Sequence, residues 1–261
     1  MERKSAKQTA NKHSTEEFTP SKAESTSMPP SSSPIHRMTK TQLYLFQYNV
    51  VSAFFWFAVL LRVVAILPIL GPENIAEGNA NFIKWVQTGA LLEIVHSLLG
   101  LVRSPILTTL MQVASRILLV WGVVYLFPES GATTLAYSTM VISWSVTEII
   151  RYAYYAYNLN GGPPKWLTWL RYNTFLLLYP TGVTSELLVI YASLGDAEKF
   201  SPYYKWFLVA IFVIYVPGFR TMFGHMVKQR NRVFKLAEST DATKKPAATA
   251  PATTKSKSRK A

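Results

Sequence analysis

The sequence predicts an all-α polytopic membrane protein, a bundle of six transmembrane helices with disordered cytosolic tails. Three observations predict it. First, 49% of the 261 residues are hydrophobic and only 16% are charged, against about 25% charged in soluble domains. Second, most charges gather before residue 42 and after residue 225. The apolar body between them is divided into runs of bilayer-spanning length, about 20 residues each. Third, the charge of the connections alternates along the chain, as a bias of Lys and Arg toward the cytosolic side requires.

Each element follows in order. Residues 1–41 form a polar leader with a Ser/Pro-rich run from Thr26 to Pro34. Such a composition cannot build a core and is expected to be disordered. It has no secretory signal, so the first span is expected to act as the insertion signal. The spanning domain, 42–225, reads as segments near 43–70, 82–102, 106–127, 133–157, 167–194 and 203–224. Breakers separate them: Gly71-Pro72, Ser104-Pro105, Pro128, the run Gly161 to Pro164, and Gly195 with Ser201-Pro202. Short connections suit antiparallel neighbours in a bundle. Trp85, Trp166, Trp169 and Trp206 fall near segment ends, where amphipathic rings prefer the headgroup region. Residues 226–261 form a basic tail rich in Lys, Ala, Pro and Thr, expected to be disordered.

The connecting charges test the count. The leader carries Arg3, Lys4, Lys7, Lys12, Lys22, Arg37 and Lys40, and the first connection carries Glu73 and Glu77. Then come Arg103, Glu129, Lys165, and Asp196 and Glu198 with Lys199, before the basic tail. An even number of spans places both basic ends on the cytosolic side. The net charge of +13 is concentrated in that tail, at residues such as Lys228, Arg230, Arg232 and Lys235. A basic stretch beside a span suits an anionic membrane surface. No nucleic-acid-binding signature accompanies it, so nucleic acid is not an expected partner. There is no cysteine, which excludes disulfides, thiolate metal sites and cysteine nucleophiles.

Ionisable residues inside apolar segments are the informative ones, because each costs about 2.5–3.5 kcal/mol at mid-span. They are Arg62, Glu93, His96, Arg116, Glu148, Arg151 and Glu186. Glu93 with His96, and Glu148 with Arg151, are three apart and share helix faces. The plain reading of these groups is buried pairing that fixes helix packing. One lone histidine makes no metal site. The tyrosines at 152, 154, 155 and 157 read as an interfacial aromatic cluster.

The fifth segment differs. It contains Tyr179-Pro180-Thr181-Gly182-Val183-Thr184-Ser185-Glu186. Pro180 disfavours helical geometry at Tyr179 and removes a backbone donor, so a kink is expected. Gly182 permits close approach of a helix or ligand. Tyr179 and Glu186 are two helical turns apart and face nearly the same way. A phenol and a carboxyl on one face of a kinked span make an acid–base pair. The plainer alternative pairs Glu186 with Arg116.

This stretch resembles the very-long-chain (3R)-3-hydroxyacyl-CoA dehydratase family of fatty-acid elongation, also called the protein tyrosine phosphatase-like A family. Leu170-Arg171-Tyr172-Asn173, Leu92 to His96, Gln112 to Arg116 and Trp144 to Tyr154 match as well. The resemblance runs over about residues 42–225. It implies six spans in the endoplasmic reticulum membrane with both ends cytosolic. It implies that Tyr179 and Glu186 are catalytic and that Glu93, Arg116, Glu148, Arg151 and Gly182 support them. It also implies a 3-hydroxyacyl-CoA substrate and partnership with the other elongation enzymes: elongase, ketoreductase and enoyl reductase. The C-terminal Lys257-Ser258-Arg259-Lys260-Ala261 departs from the dilysine retrieval signal of related proteins.

Dehydration removes a weakly acidic C2 proton and expels hydroxide, so a base and a proton donor are needed. The expected assignment is Glu186 as base, with Tyr179 hydrogen-bonding or protonating the leaving hydroxyl; the exchanged roles, or Glu186 doing both, fit the sequence too. The chemistry calls for no metal or redox cofactor. Arg103, Lys165 and Arg171 are candidates for the CoA phosphates. The rival classes are a non-catalytic membrane scaffold of the same fold and a small transporter. The presence of both Tyr179 and Glu186 favours the enzyme. The absence of paired broken helices in two similar halves counts against a transporter.

Overall fold

The computed structural model describes residues 38–102 and 106–244. Every regular element among them is helical. Helix α1 (Lys40–Leu70) begins at a capping box. Thr39 accepts from the Gln42 amide at 3.2 Å, and the Gln42 side chain accepts from the Thr39 amide at 2.9 Å. This satisfies two orphan donors at once. It ends at Gly71, whose φ of 77° suits glycine.

A 3₁₀ turn (Pro72–Asn74) leads into α2 (Ile75–Thr88) and α3 (Leu91–Leu98). The second expected segment is therefore two helices, parted at Gly89-Ala90. Helix α4 (Ile106–Ile117) continues into a π-helical stretch, Leu118–Val124. There the Gly122 carbonyl accepts from the Tyr204 hydroxyl at 2.7 Å. A Cβ at Gly122 would lie 2.8 Å from that hydroxyl and from a Leu118 methyl, so a larger residue there would have to displace one or both side chains. After the short α5 (Pro128–Gly131) come α6 (Leu135–Leu159), α7 (Lys165–Asn173), α8 (Phe175–Phe200) and α9 (Pro202–Lys244).

Among the described residues three helices are long and apolar enough to cross a membrane: α1, α8 and the stretch Pro202–Leu236 of α9. Only 17% of the most apolar window of α1 and 11% of that of α9 is buried within the protein. Their outward faces carry Phe54, Leu61, Val64, Val213 and Ile214, and an apolar surface of that extent needs lipid around it. The remaining expected spans fall short for separate reasons. α2–α3 is interrupted, and the apolar stretch Thr109–Val124 is short. α6, at 25 residues, spans about 37 Å by its rise, but it is too polar. Its Ser138, Ser143, Ser145 and Glu148 are buried, because α6 is the central helix, packed between α1 and α8. α8 in turn carries α9. The core joins Trp56, Trp144, Tyr137, Met140, Leu119 and Ile190.

α8 contains Pro180 and stays helical through it, and α7 hands over to α8 at Thr174 with helical φ/ψ. One expectation needs correction. The basic tail expected to be disordered from 226 is helical as far as Lys244, as the end of α9. The expected leader lies outside the described residues up to 37. Trp85, Trp166, Trp169 and Trp206 are all exposed, as interfacial rings should be.

Candidate active site

Four of the ionisable residues expected within spans come together. Arg151 on α6 makes a two-pronged pair with Glu93 on α3, at 2.6 and 2.7 Å. Its Nε donates to Glu148 Oε2 at 2.7 Å. The other Glu148 oxygen accepts from Arg116 on α4, and Tyr152 donates to Glu93. Four charges on three helices form one neutral network. It tolerates burial because each carboxylate oxygen has a charged or phenolic donor. Arg116 also lies over the Trp144 ring, 4.9 Å from its centroid.

Trp144 connects this network to the fifth segment. Its indole N–H donates to Glu186 Oε1 at 2.8 Å, and both residues are buried. The plainer alternative of an Arg116–Glu186 pair is therefore not formed: Arg116 is committed to Glu148. Glu186 is a carboxyl with an indole donor and no cation of its own among the described residues. Tyr179 lies in the electrostatic field of both Glu186 and Arg116. Its ring stacks on Phe219 at 5.2 Å and Phe223 at 6.2 Å, so α9 covers this face of α8. Gly182 is buried against α6, where an added Cβ would meet the Ser143 Cβ at 3.6 Å. That is an ordinary van der Waals distance, so the packing there leaves room for a Cβ.

The other singled-out residues are placed as follows. Arg171 on α7 donates to the Tyr155 hydroxyl at 2.9 Å and lies 4.7–6.0 Å from the ring centroids of Tyr154, Tyr155 and Tyr172. Its Nε is buried without a partner. Lys165 is exposed at the start of the same helix, and Arg103 lies outside the described residues. His96 does not bond Glu93. Its Nε2 meets the Tyr44 hydroxyl at 2.9 Å and its ring packs edge-on to Tyr48. Arg62 is held by Asn79 at 2.8 Å and the Gly78 carbonyl at 2.6 Å. Of the four tyrosines read as interfacial, Tyr155 and Tyr157 are exposed, but Tyr152 is 2% exposed and belongs to the charge network. Among the described residues no group of three or more His, Asp or Glu is placed to hold a metal.

Sequence reasoning missed Trp144 as a site residue, and it missed Tyr215. The Tyr215 hydroxyl is buried on α9, within interaction range of Glu186 and Ser115 but in a well-aligned hydrogen bond with neither. Trp144 had a legible signal, being an indole one turn before Glu148 in a helix already carrying buried charge.

The family described as protein tyrosine phosphatase-like protein, PTPLA, matches residues 87–236. A Schizosaccharomyces pombe protein named "Probable very-long-chain (3R)-3-hydroxyacyl-CoA dehydratase" is 47% identical over 74% of this chain and 94% of its own length. The Arabidopsis thaliana very-long-chain (3R)-3-hydroxyacyl-CoA dehydratase PASTICCINO 2 is 42% identical over 73% and 92%. Human very-long-chain (3R)-3-hydroxyacyl-CoA dehydratase 2 is 36% identical over 75% and 82%. No solved structure matches the chain significantly.

Proposed function

This chain belongs to the protein tyrosine phosphatase-like PTPLA family, and we propose that it dehydrates very-long-chain (3R)-3-hydroxyacyl-CoA to trans-2-enoyl-CoA. It is a hydro-lyase of fatty-acid elongation, acting at the third step of the cycle. The family name does not describe the chemistry: the chain has no cysteine, so the thiolate of a cysteine phosphatase is missing.

The observation that carries the reading is Glu186. It is a buried carboxyl held by one indole donor, on the face of α8 that also bears Tyr179. Every other intramembrane acid here is matched by an arginine, whereas Glu186 is left able to take a proton. Glu186 removes the C2 proton of the substrate, and Tyr179 donates to a substrate oxygen beside it. The network of Glu93, Arg151, Glu148 and Arg116 fixes α3, α4 and α6 around Trp144, which aims the Glu186 carboxyl. Gly182 keeps α8 close to α6. The acyl chain lies among the apolar helices, and the CoA phosphates meet cations at the α7 end, Arg171 and Lys165, with Arg103 as a further candidate. No metal or redox cofactor takes part in this chemistry.

The protein is a multi-pass protein of the endoplasmic reticulum membrane, with six spans and both termini cytosolic. Six helical rods support this: α1, α2–α3, α4 with its π-helical continuation, α6, α7–α8 and α9, each overlapping one expected segment. The functional domain is 42–225, flanked by the leader and the basic tail. Its partners are the elongase, ketoreductase and enoyl reductase that supply its substrate and consume its product. The test is direct: detergent-purified protein is given a long-chain (3R)-3-hydroxyacyl-CoA and trans-2-enoyl-CoA is measured. Binding without turnover would favour a scaffold.

A further inference from the structure

Two substrate oxygens must be managed in this reaction. One is the thioester oxygen, which gains negative charge as C2 loses its proton. The other is the 3-hydroxyl, which leaves. α9 brings a second phenol to the site. Tyr215, Phe219 and Phe223 recur every four residues and so form one stripe along α9. Phe219 and Phe223 stack on Tyr179 and fix the register of that stripe. α8 and α9 meet at the Ser201 corner and run antiparallel. Tyr215, one turn from Phe219 toward that corner, therefore comes level with Glu186. Its hydroxyl is buried within interaction range of the Glu186 carboxyl and of Ser115, and forms a well-aligned hydrogen bond with neither. A buried donor without a well-aligned partner destabilises a fold, and a ligand that completes it explains why it is there.

We infer that Tyr215 is a further catalytic residue, the proton donor to the leaving 3-hydroxyl. The inference rests on the dehydratase reading above. With CoA at the α7 end, the substrate enters past Tyr179, so its thioester lies on the Tyr179 side and C3 lies deeper, toward Glu186 and Tyr215. This gives Tyr179 the thioester oxygen rather than the leaving hydroxyl expected from the sequence. In the step, the C2–H bond breaks and its proton goes to Glu186. The electron pair becomes the C2=C3 bond. The C3–O bond breaks, and the departing oxygen takes the Tyr215 proton and leaves as water. Glu186 then returns its proton to the Tyr215 phenolate, restoring both groups.

Leaving-group rescue tests this. Tyr215→Phe removes a hydroxyl that makes no well-aligned hydrogen bond, so the variant should fold and melt close to wild type. Its turnover of a 3-hydroxyacyl-CoA should fall by at least about 10²-fold, the usual scale for acid–base catalysis. With the 3-fluoroacyl-CoA of the same chain, whose fluoride leaves without a proton, it should come within about tenfold of wild type. Glu186→Gln should fail on both substrates. Normal turnover of the hydroxy substrate by Tyr215→Phe overturns the inference, and so does equal impairment on both substrates. Wild-type protein inert toward the hydroxy substrate would instead sink the dehydratase reading itself.

Discussion

Replacing Glu148 by glutamine should destabilise the protein more than any surface charge change. One Glu148 oxygen takes Arg116 and the other takes Arg151, at 2.7 Å through Nε and 2.5 Å through Nη2, with the glutamate side chain only 4% exposed. The amide keeps the shape, removes the charge and turns an NH₂ group toward a guanidinium. The network changes from two cations and two anions to an excess cation. Removing one partner of a buried pair costs about 3–5 kcal/mol. The arginines are 20% and 21% exposed, and water reaching them brings the loss to the lower end, about 3 kcal/mol. For a domain of this size that is a fall in Tm of about 6–12 °C. With seven tryptophans and no cysteine, intrinsic fluorescence of detergent-solubilised protein is the suitable readout. The control is Glu198→Gln, which breaks an exposed pair with Lys205 and should shift Tm by no more than about 2–4 °C. A Glu148→Gln melt no lower than that control would refute the account of the network. Activity should suffer as well, per folded molecule, because Arg116 released from Glu148 becomes a cation free to neutralise Glu186.

Three further outcomes follow from the same geometry. Gly182→Ala should keep most activity, since its Cβ meets Ser143 at an ordinary 3.6 Å, whereas Gly182→Leu should abolish turnover by wedging α8 from α6; equal activity of both would show the contact is not close. Trp144→Phe removes the one N–H held on Glu186 and should lower kcat by about 10- to 100-fold, the range for a hydrogen bond to a charged group, with melting changed far less; unchanged kcat would show that the indole does not aim the carboxyl. A glycosylation acceptor inserted in the Gly71–Asn74 connection should be modified while a C-terminal reporter stays accessible from the cytosol; a lumenal C-terminus would rule out six spans.

The sequence made the membrane class legible because hydropathy over about 20 residues is a local property. It also exposed the polar residues of the site, since ionisable groups stand out in apolar runs. Their partners were less legible, because pairing is set by which helices meet. Arg116 chose Glu148 over Glu186, and His96 chose Tyr44 on α1 over its neighbour Glu93. Pro180 lies inside a continuous α8, packed between α6 and α9. α6 shows the limit of hydropathy from the other direction: a central helix of a bundle need not be apolar all round, because its neighbours shield its serines and its glutamate. Tyr215 could not be found from sequence, since the phenol matters only through the register of α9 on α8.

The central claim is that Glu186 and Tyr179 perform an acid–base elimination. It is tested most directly by turnover of a long-chain (3R)-3-hydroxyacyl-CoA, normalised to folded, membrane-inserted protein. The wild type should produce the trans-2-enoyl-CoA. Glu186→Gln and Tyr179→Phe should each lower normalised turnover by at least about 10²-fold. The double variant should be little worse than either, since groups acting as a unit are non-additive. If both groups served packing alone, yield and melting temperature would drop while each folded molecule kept its rate. Near-normal normalised turnover in both single variants would contradict the account.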